Sequence, residues 1–318
     1  MRRPGWMARV GRGDARTGAR RGSGAAGTDR GGASRDVAGT GAVHSRYDQL
    51  PPVPECPLGW RVGPPDYVIL GAQKAGTTWW QGLLEEHPTV VRPPSQRREL
   101  HFFDHFWDRW PTPDQIGLYH RYFPRPEGSL VGEKTPGYLY QPWVAPMLAM
   151  AAPEARFVVL MRDPVERYVS GLALLDRAGA LKGEIGAGEI GVREHRITEA
   201  IERGCYASQL EWFLRHFARD RFLLLQYERC AADPQGQLSR TFEFLGLPDH
   251  AVTAEEIARA RKRSSSRPHL PAEIRGLLLT YYAPDVRRLL ELAPDLDLSS
   301  WQGFAEAVAS LDEEAPRR

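Results

Sequence analysis

A chain of 318 residues with 42% hydrophobic, 10% aromatic and 26% charged content is long enough for one large α/β domain or two small ones, and excludes collagen, coiled coil and a wholly disordered chain. No stretch approaches the roughly 18–20 uncharged apolar residues of a membrane span, and the basic N-terminus has no apolar core behind it, so neither anchor nor secretory signal is predicted and the cytoplasm is the expected location. The net charge of +2 hides an asymmetry: residues 1–46 carry ten Arg and three Asp, leaving the remainder mildly acidic at −5, which argues against nucleic acid as a partner but not against a small anionic ligand.

Residues 1–46 hold 11 of the 31 glycines and almost no periodic apolar pattern, so they read as a disordered basic tail, either an electrostatic arm or a solvated extension. Residues 47–65 form a proline-punctuated lead-in. Tyr67 to Leu70 is a short apolar run of the kind that forms a buried parallel strand. Gly71 to Thr78 follows as a glycine-bearing loop, and Trp79 to Glu86 as a helix that stops before Pro88. The pattern recurs at Arg156 to Met161, a second buried strand, which runs into a helix with Asp163 as N-cap and Pro164 at its first position. A third strand is predicted over Phe222 to Tyr227, between helices at about 204–217 and 234–244. Strands alternating with helices imply an α/β fold: one domain over residues 66–305, with a central parallel sheet flanked by helices on both faces and ligands at the carboxyl ends of the strands. Residues 306–318 are expected to be a C-terminal tail.

Cys56, Cys205 and Cys230 are an odd number without metal-ligand spacing, so free thiols and no metal are predicted. The loop Gly71 to Thr78 lies where unpaired N–H groups and a helix dipole seat an oxyanion. It departs from the nucleotide-hydrolase loop that puts Lys directly after the second Gly, because Lys74 precedes Gly76 by two residues. Only four lysines, Lys74, Lys134, Lys182 and Lys262, stand against 38 arginines, so a lysine in a motif marks a place for a compact point charge.

Gly71 to Thr78, Arg98 to Asp104, Gly132 to Pro136 and Arg162 to Ser170 resemble, in order and spacing, the sulfotransferases that use 3'-phosphoadenosine 5'-phosphosulfate, nearest the heparan-sulfate and carbohydrate branch. The resemblance covers roughly residues 66–301 and implies a P-loop-like fold. It also implies that the chain is an enzyme moving a sulfuryl group from this donor to a hydroxyl or amine of a carbohydrate, lipid or natural-product acceptor, leaving 3',5'-bisphosphate adenosine. By the same resemblance Gly71, Gln73, Lys74, Ala75, Gly76, Thr77 and Thr78 hold the 5'-phosphosulfate, with Lys74 on the bridging oxygen. Arg162 and Ser170 hold the 3'-phosphate, Glu99 is the base, and Lys134 faces donor and acceptor together. His101 is either a rival base or the group that orients Glu99. The late basic segment Arg261 to Arg267 is either the family's closing loop, with Lys262, Arg263 and Arg267 on the 3'-phosphate, or a solvated charge run.

Arg98 stands where the family usually has lysine, and the C-terminal cysteine pair of the heparan-sulfate branch is missing. Trp79, Trp80, Phe102, Phe103, Phe106 and Trp107 either line an acceptor cleft or, for most of them, pack in the core. Residues 179–193 form a flap over the acceptor or a plain loop. A non-catalytic binder of bisphosphate nucleotides is the competing function, and the joint presence of Lys74, Glu99, His101 and Lys134 argues against it.

Overall fold

The computed structural model describes residues 50–92, 99–177, 196–260 and 269–314. Strand β1 (Tyr67–Gly71) is buried along its whole length and leads through a short loop into helix α1 (Thr77–Leu84). A two-residue strand, β2 (Val90–Val91), is followed by a 3-10 turn at Phe102–Phe106 and helix α2 (Pro113–His120), whose N-terminus is closed by a Thr112–Gln115 capping box. Strand β3 (Leu130–Lys134) and helix α3 (Val144–Ala151) come next, then β4 (Arg156–Met161) and α4 (Pro164–Arg177). The Asp163 side chain accepts from the N–H groups of Val165 at 2.8 Å and Glu166 at 3.0 Å, so the predicted cap is formed. Helix α5 (residues 196–202) and α6 (Tyr206–Leu214) precede β5 (Phe222–Gln226). The chain then runs through α7 (Tyr227–Ala232), α8 (Pro234–Leu245), α9 (Ala254–Ala260), α10 (Ala272–Leu292) and α11 (Phe304–Glu314). Among the described residues no helix is long and apolar enough to cross a membrane.

Among the described residues five strands form one sheet, all parallel, in the order β2-β3-β1-β4-β5. The apolar runs of β1, β4 and β5 occupy adjacent positions, where both faces are covered. β1 has β3 on one side and β4 on the other, so the chain changes direction across the sheet around β1, and the crevice at its carboxyl end is the expected ligand position.

Strand β3 was not predicted, because Gly132, Glu133 and Lys134 interrupt its apolar pattern. Its glycine is required by a cross-strand neighbour. Gly132 pairs with Tyr67, and a Cβ there would lie 2.2 Å from the Tyr67 ring, so only glycine lets the two strands meet in this register.

Other boundaries move as well. Tyr227 opens α7 instead of ending β5, and the helix expected at 204–217 is regular only over Tyr206–Leu214. The lead-in is part of the folded unit: Arg61 and Arg125 exchange backbone hydrogen bonds at 2.9 Å, and Tyr122 donates to the Pro51 carbonyl at 2.6 Å. At the other end, residues 306–314 are not a tail. Phe304 and Val308 bury the inner face of α11 against α10, which amphipathic spacing permits in a segment of otherwise polar composition. Residues 1–46, the segment 179–193 and the basic segment with Lys262, Arg263 and Arg267 lie outside the described residues.

The aromatic residues sort by burial. Trp79, Trp80, Phe102, Phe103 and Phe106 are core, whereas Trp107 is exposed. The three cysteines are free thiols.

Candidate active site

The carboxyl ends of β1, β3, β4 and β5 place Gly71, Lys134, Met161 and Gln226 at one edge of the sheet. Three of the four motifs follow or end one of the first three of these strands, and the fourth, which carries Glu99 and His101, comes after β2. Between β1 and α1 the loop turns through Lys74 at φ 73° and Gly76 at φ 90°, and no side chain among the described residues caps α1. The first N–H groups of a helix have no intrahelical acceptor, so Gly76, Thr77 and Thr78 present uncapped donors and the positive end of the helix dipole. These are features that suit an anion, in the loop where Gly71, Gln73, Lys74, Ala75, Gly76, Thr77 and Thr78 were expected to hold one, although the Ala75 N–H already donates to the Ala72 carbonyl at 3.1 Å.

Gly76 is constrained twice, by its left-handed backbone and by the Tyr227 ring, whose carbons would lie 2.8 and 2.9 Å from an added Cβ. Gly76→Ala is therefore expected to destabilise the fold by roughly 1–2 kcal/mol from the backbone alone, with more from the clash. Urea denaturation of the two proteins measures it.

Strand β3 ends on Lys134, whose ammonium is almost wholly buried. Its Nζ donates to Glu99 Oε1 at 2.6 Å and to Thr78 Oγ1 at 3.1 Å. One lysine thus ties the anion-seat loop to the carboxylate proposed as base, across 56 and 35 residues of sequence. His101, in a left-handed conformation at φ 54°, lies on the other side of Glu99. Its Nε2 is 3.2 Å from Glu99 Oε2 and its Nδ1 is 2.8 Å from Asp104 Oδ2. Burial favours the neutral imidazole, but hydrogen bonds and charge from Asp104 and Glu99 outweigh it and hold the pKa at about 9. With a carboxylate at each nitrogen the ring keeps both protons near neutral pH. It donates twice and has no lone pair with which to act as base, so the geometry favours its orienting role. Burial also pushes Glu99 upward, and there too the hydrogen bond from His101 and the charge of Lys134 prevail, lowering its carboxyl to about 2.

Beneath this array lies a second layer. The Thr135 hydroxyl accepts from the His101 N–H at 3.3 Å and donates to Glu133 Oε1 at 2.9 Å, while the Tyr119 hydroxyl donates to Glu133 Oε2. Glu133 is buried, which raises its pKa despite these donors. Asp104 and Thr135 stand inside the quoted motifs but received no role; their signal was spacing, Asp104 three residues after His101 and Thr135 directly after Lys134.

At the end of β4, Arg162 sits over the Tyr227 ring at 5.1 Å, and its Nη1 reaches the Lys74 carbonyl at 3.5 Å. The Tyr206 hydroxyl holds the Arg162 backbone, donating to its carbonyl at 2.8 Å. Ser170, half-buried on α4, follows Glu166 by one turn on the same helix face, the face from which Glu166 approaches Arg162. Tyr227 was missed because its role needs β5 beside β4.

The sulfotransferase domain model matches residues 64–268, well over half of the chain. Human heparan sulfate glucosamine 3-O-sulfotransferase 3B1 is 29% identical over 258 residues, covering 75% of this chain and 63% of that protein. Human heparan sulfate glucosamine 3-O-sulfotransferase 6 is 28% identical over 256 residues, covering 72% of this chain and 71% of that protein. The chain thus spans just under two thirds of the first relative's length. Among solved structures, the sulfotransferase from Alicyclobacillus acidocaldarius superposes with a TM-score of 0.60 at 26% identity, covering 76% of this chain and 100% of that one. The matched span contains the anion-seat loop, the Glu99–Lys134–Thr78 array and the end of β4, and the chain belongs to the sulfotransferase domain family.

Proposed function

We propose that this protein transfers the sulfuryl group of 3'-phosphoadenosine 5'-phosphosulfate to a hydroxyl of a carbohydrate acceptor, with Glu99 as base. The observation that carries the reading is the buried Lys134, hydrogen-bonded at once to Thr78 of the anion-seat loop and to Glu99. A nucleotide binder without transfer has no use for a carboxylate wired to its phosphate loop. The residues present also fit a ligand charged at two ends. The uncapped start of α1 with Gly71, Gln73, Lys74, Ala75, Gly76, Thr77 and Thr78 would take the 5' group, and Arg162 with Ser170 the 3'-phosphate. The bound donor supplies an activated sulfuryl group on a phosphate leaving group.

Sulfuryl transfer, like phosphoryl transfer, asks the protein mainly to align the reactants and to neutralise charge as it develops. Lys74 would do the second, at the donor's bridging oxygen. Glu99 takes the acceptor proton. At a pKa of about 2 it is a weak base, and its strength depends on Lys134. Anionic charge bound beside Thr78 would compete with Glu99 for the Lys134 ammonium and so would raise that carboxylate's affinity for a proton. His101, kept protonated by Asp104, holds the carboxylate in position throughout.

A carbohydrate is preferred because the curated relatives named above act on heparan sulfate glucosamine. The mildly acidic folded part favours one that is not densely sulfated. Incubation with the phosphosulfate donor and pools of sugars, lipids and natural-product alcohols should give a mass gain of one sulfuryl group in a sugar pool. In the same preparation, 3',5'-bisphosphate adenosine should raise Tm well above the shift given by AMP, because Arg162 and Ser170 read the 3'-phosphate. Equal shifts would remove that assignment.

A further inference from the structure

The end of β4 holds three charges whose arrangement goes beyond a phosphate contact. Glu166, on α4, spreads its carboxylate between two arginines from different elements. Oε1 accepts from Arg275 Nη2, on α10, at 2.6 Å. Oε2 lies 3.8 Å from Arg162 Nη2, an ion pair too long for a hydrogen bond. Arg275 Nη1 is buried with no hydrogen-bond partner among the described residues, so this guanidinium is held chiefly by Glu166. Arg162 is oriented by the Tyr227 ring and by a long contact to the Lys74 carbonyl, and its forked donors are not saturated by a carboxylate.

We infer that Arg275 is a positioning residue for the 3'-phosphate site: by engaging Glu166 it keeps that carboxylate from closing on Arg162. The inference rests on the reading of Arg162 and Ser170 given above. The physical need is plain. Glu166 and Ser170 are one turn apart on the same face of α4, so a phosphate held by Ser170 and Arg162 faces a carboxylate of like charge. Glu166 is also four residues from Arg162, close enough to pair with it directly. Arg275 answers both problems, neutralising the carboxylate and drawing it to the α10 side. α10 packs against α4 and so delivers the arginine from outside the loops that touch the nucleotide. Sequence reading could not assign Arg275, which is 113 positions beyond Arg162 and in no motif.

The test is calorimetric titration of 3',5'-bisphosphate adenosine, with AMP as the probe lacking the 3'-phosphate, into the full chain and four variants. Arg275→Gln should weaken bisphosphate binding roughly tenfold, about the worth of one charge-assisted hydrogen bond, and leave AMP binding unchanged. Arg275→Lys keeps the charge and should restore most of the loss. Glu166→Gln should bind the bisphosphate at least as tightly as the unaltered protein. The decisive variant carries both Arg275→Gln and Glu166→Gln. If Arg275 acts through Glu166, removing the carboxylate returns affinity to the level of Glu166→Gln. A double variant as weak as Arg275→Gln would overturn the inference and make Arg275 a direct phosphate ligand. Arg275→Gln weakening AMP and bisphosphate alike would also overturn it, since damage to the fold does not read the 3'-phosphate. Equal binding of AMP and bisphosphate by the unaltered protein would instead overturn the assignment of Arg162 and Ser170, and the inference with it.

Discussion

Lys74→Ala is expected to lower kcat by two to three orders of magnitude, roughly the effect of removing one preorganised donor from a developing oxyanion, while affinity for 3',5'-bisphosphate adenosine falls far less. The split follows from where the contacts lie. In the proposed reading nucleotide binding is spread over the α1 N–H groups, Arg162 and Ser170, whereas charge on the bridging oxygen would develop only in the transition state. Lys74→Arg should fail nearly as badly. The side chain starts from a left-handed backbone at φ 73° in a tight loop, and a planar guanidinium is too long to place its charge where the ammonium sits. Steady-state kinetics and calorimetry on the same preparations separate the two effects. Parallel losses in kcat and in nucleotide affinity would make Lys74 an ordinary binding group.

Glu99→Gln should abolish transfer to an alcohol, again by orders of magnitude, with the bisphosphate still bound. The amide keeps the shape of the carboxylate but cannot take a proton. His101→Ala is expected to be less severe, because it removes an orienting donor and leaves the base. The pH profile gives an independent reading. The Glu99 carboxyl lies below its ordinary value of 4.5, so its pairing contributes fully above that value and is lost as pH falls toward about 2. The His101 imidazole is raised above 6.5, so its contribution is complete below 6.5 and is lost as pH rises through about 9. The array thus keeps its protons arranged between about pH 2 and 9 and contributes its full stabilisation between about pH 4.5 and 6.5, and turnover of the unaltered protein should decline as the imidazole loses its proton near pH 9. In His101→Ala that alkaline limb should disappear. If Glu99→Gln instead keeps near-normal transfer and His101→Ala abolishes it, the imidazole is the base and the pairing read from the geometry is wrong.

Local chemistry was legible in the amino-acid order. The apolar runs of β1, β4 and β5, the glycine-bearing turn into α1 and the Asp163-Pro164 helix start are set by interactions within a few residues, and each formed within one or two residues of where the pattern placed it. The motifs that carry the family resemblance were legible for the same reason, since each is a contiguous stretch at one strand end. What the tertiary structure decided is non-local. Strand β3 exists because Gly132 meets the Tyr67 ring across the sheet, a fact of register invisible in a segment whose own pattern is broken by Gly, Glu and Lys. α11 is helix and core, not tail, because α10 offers it a surface. The roles of Glu99 and His101 were open in the sequence, and the partners that favour an orienting histidine, Asp104 on its far nitrogen and Lys134 on the far oxygen of Glu99, are brought there by the fold. Tyr227 beneath Arg162 and Arg275 against Glu166 depend on β5 lying beside β4 and α10 packing on α4. Those placements come from burying apolar faces far apart in the chain, and no local pattern records them.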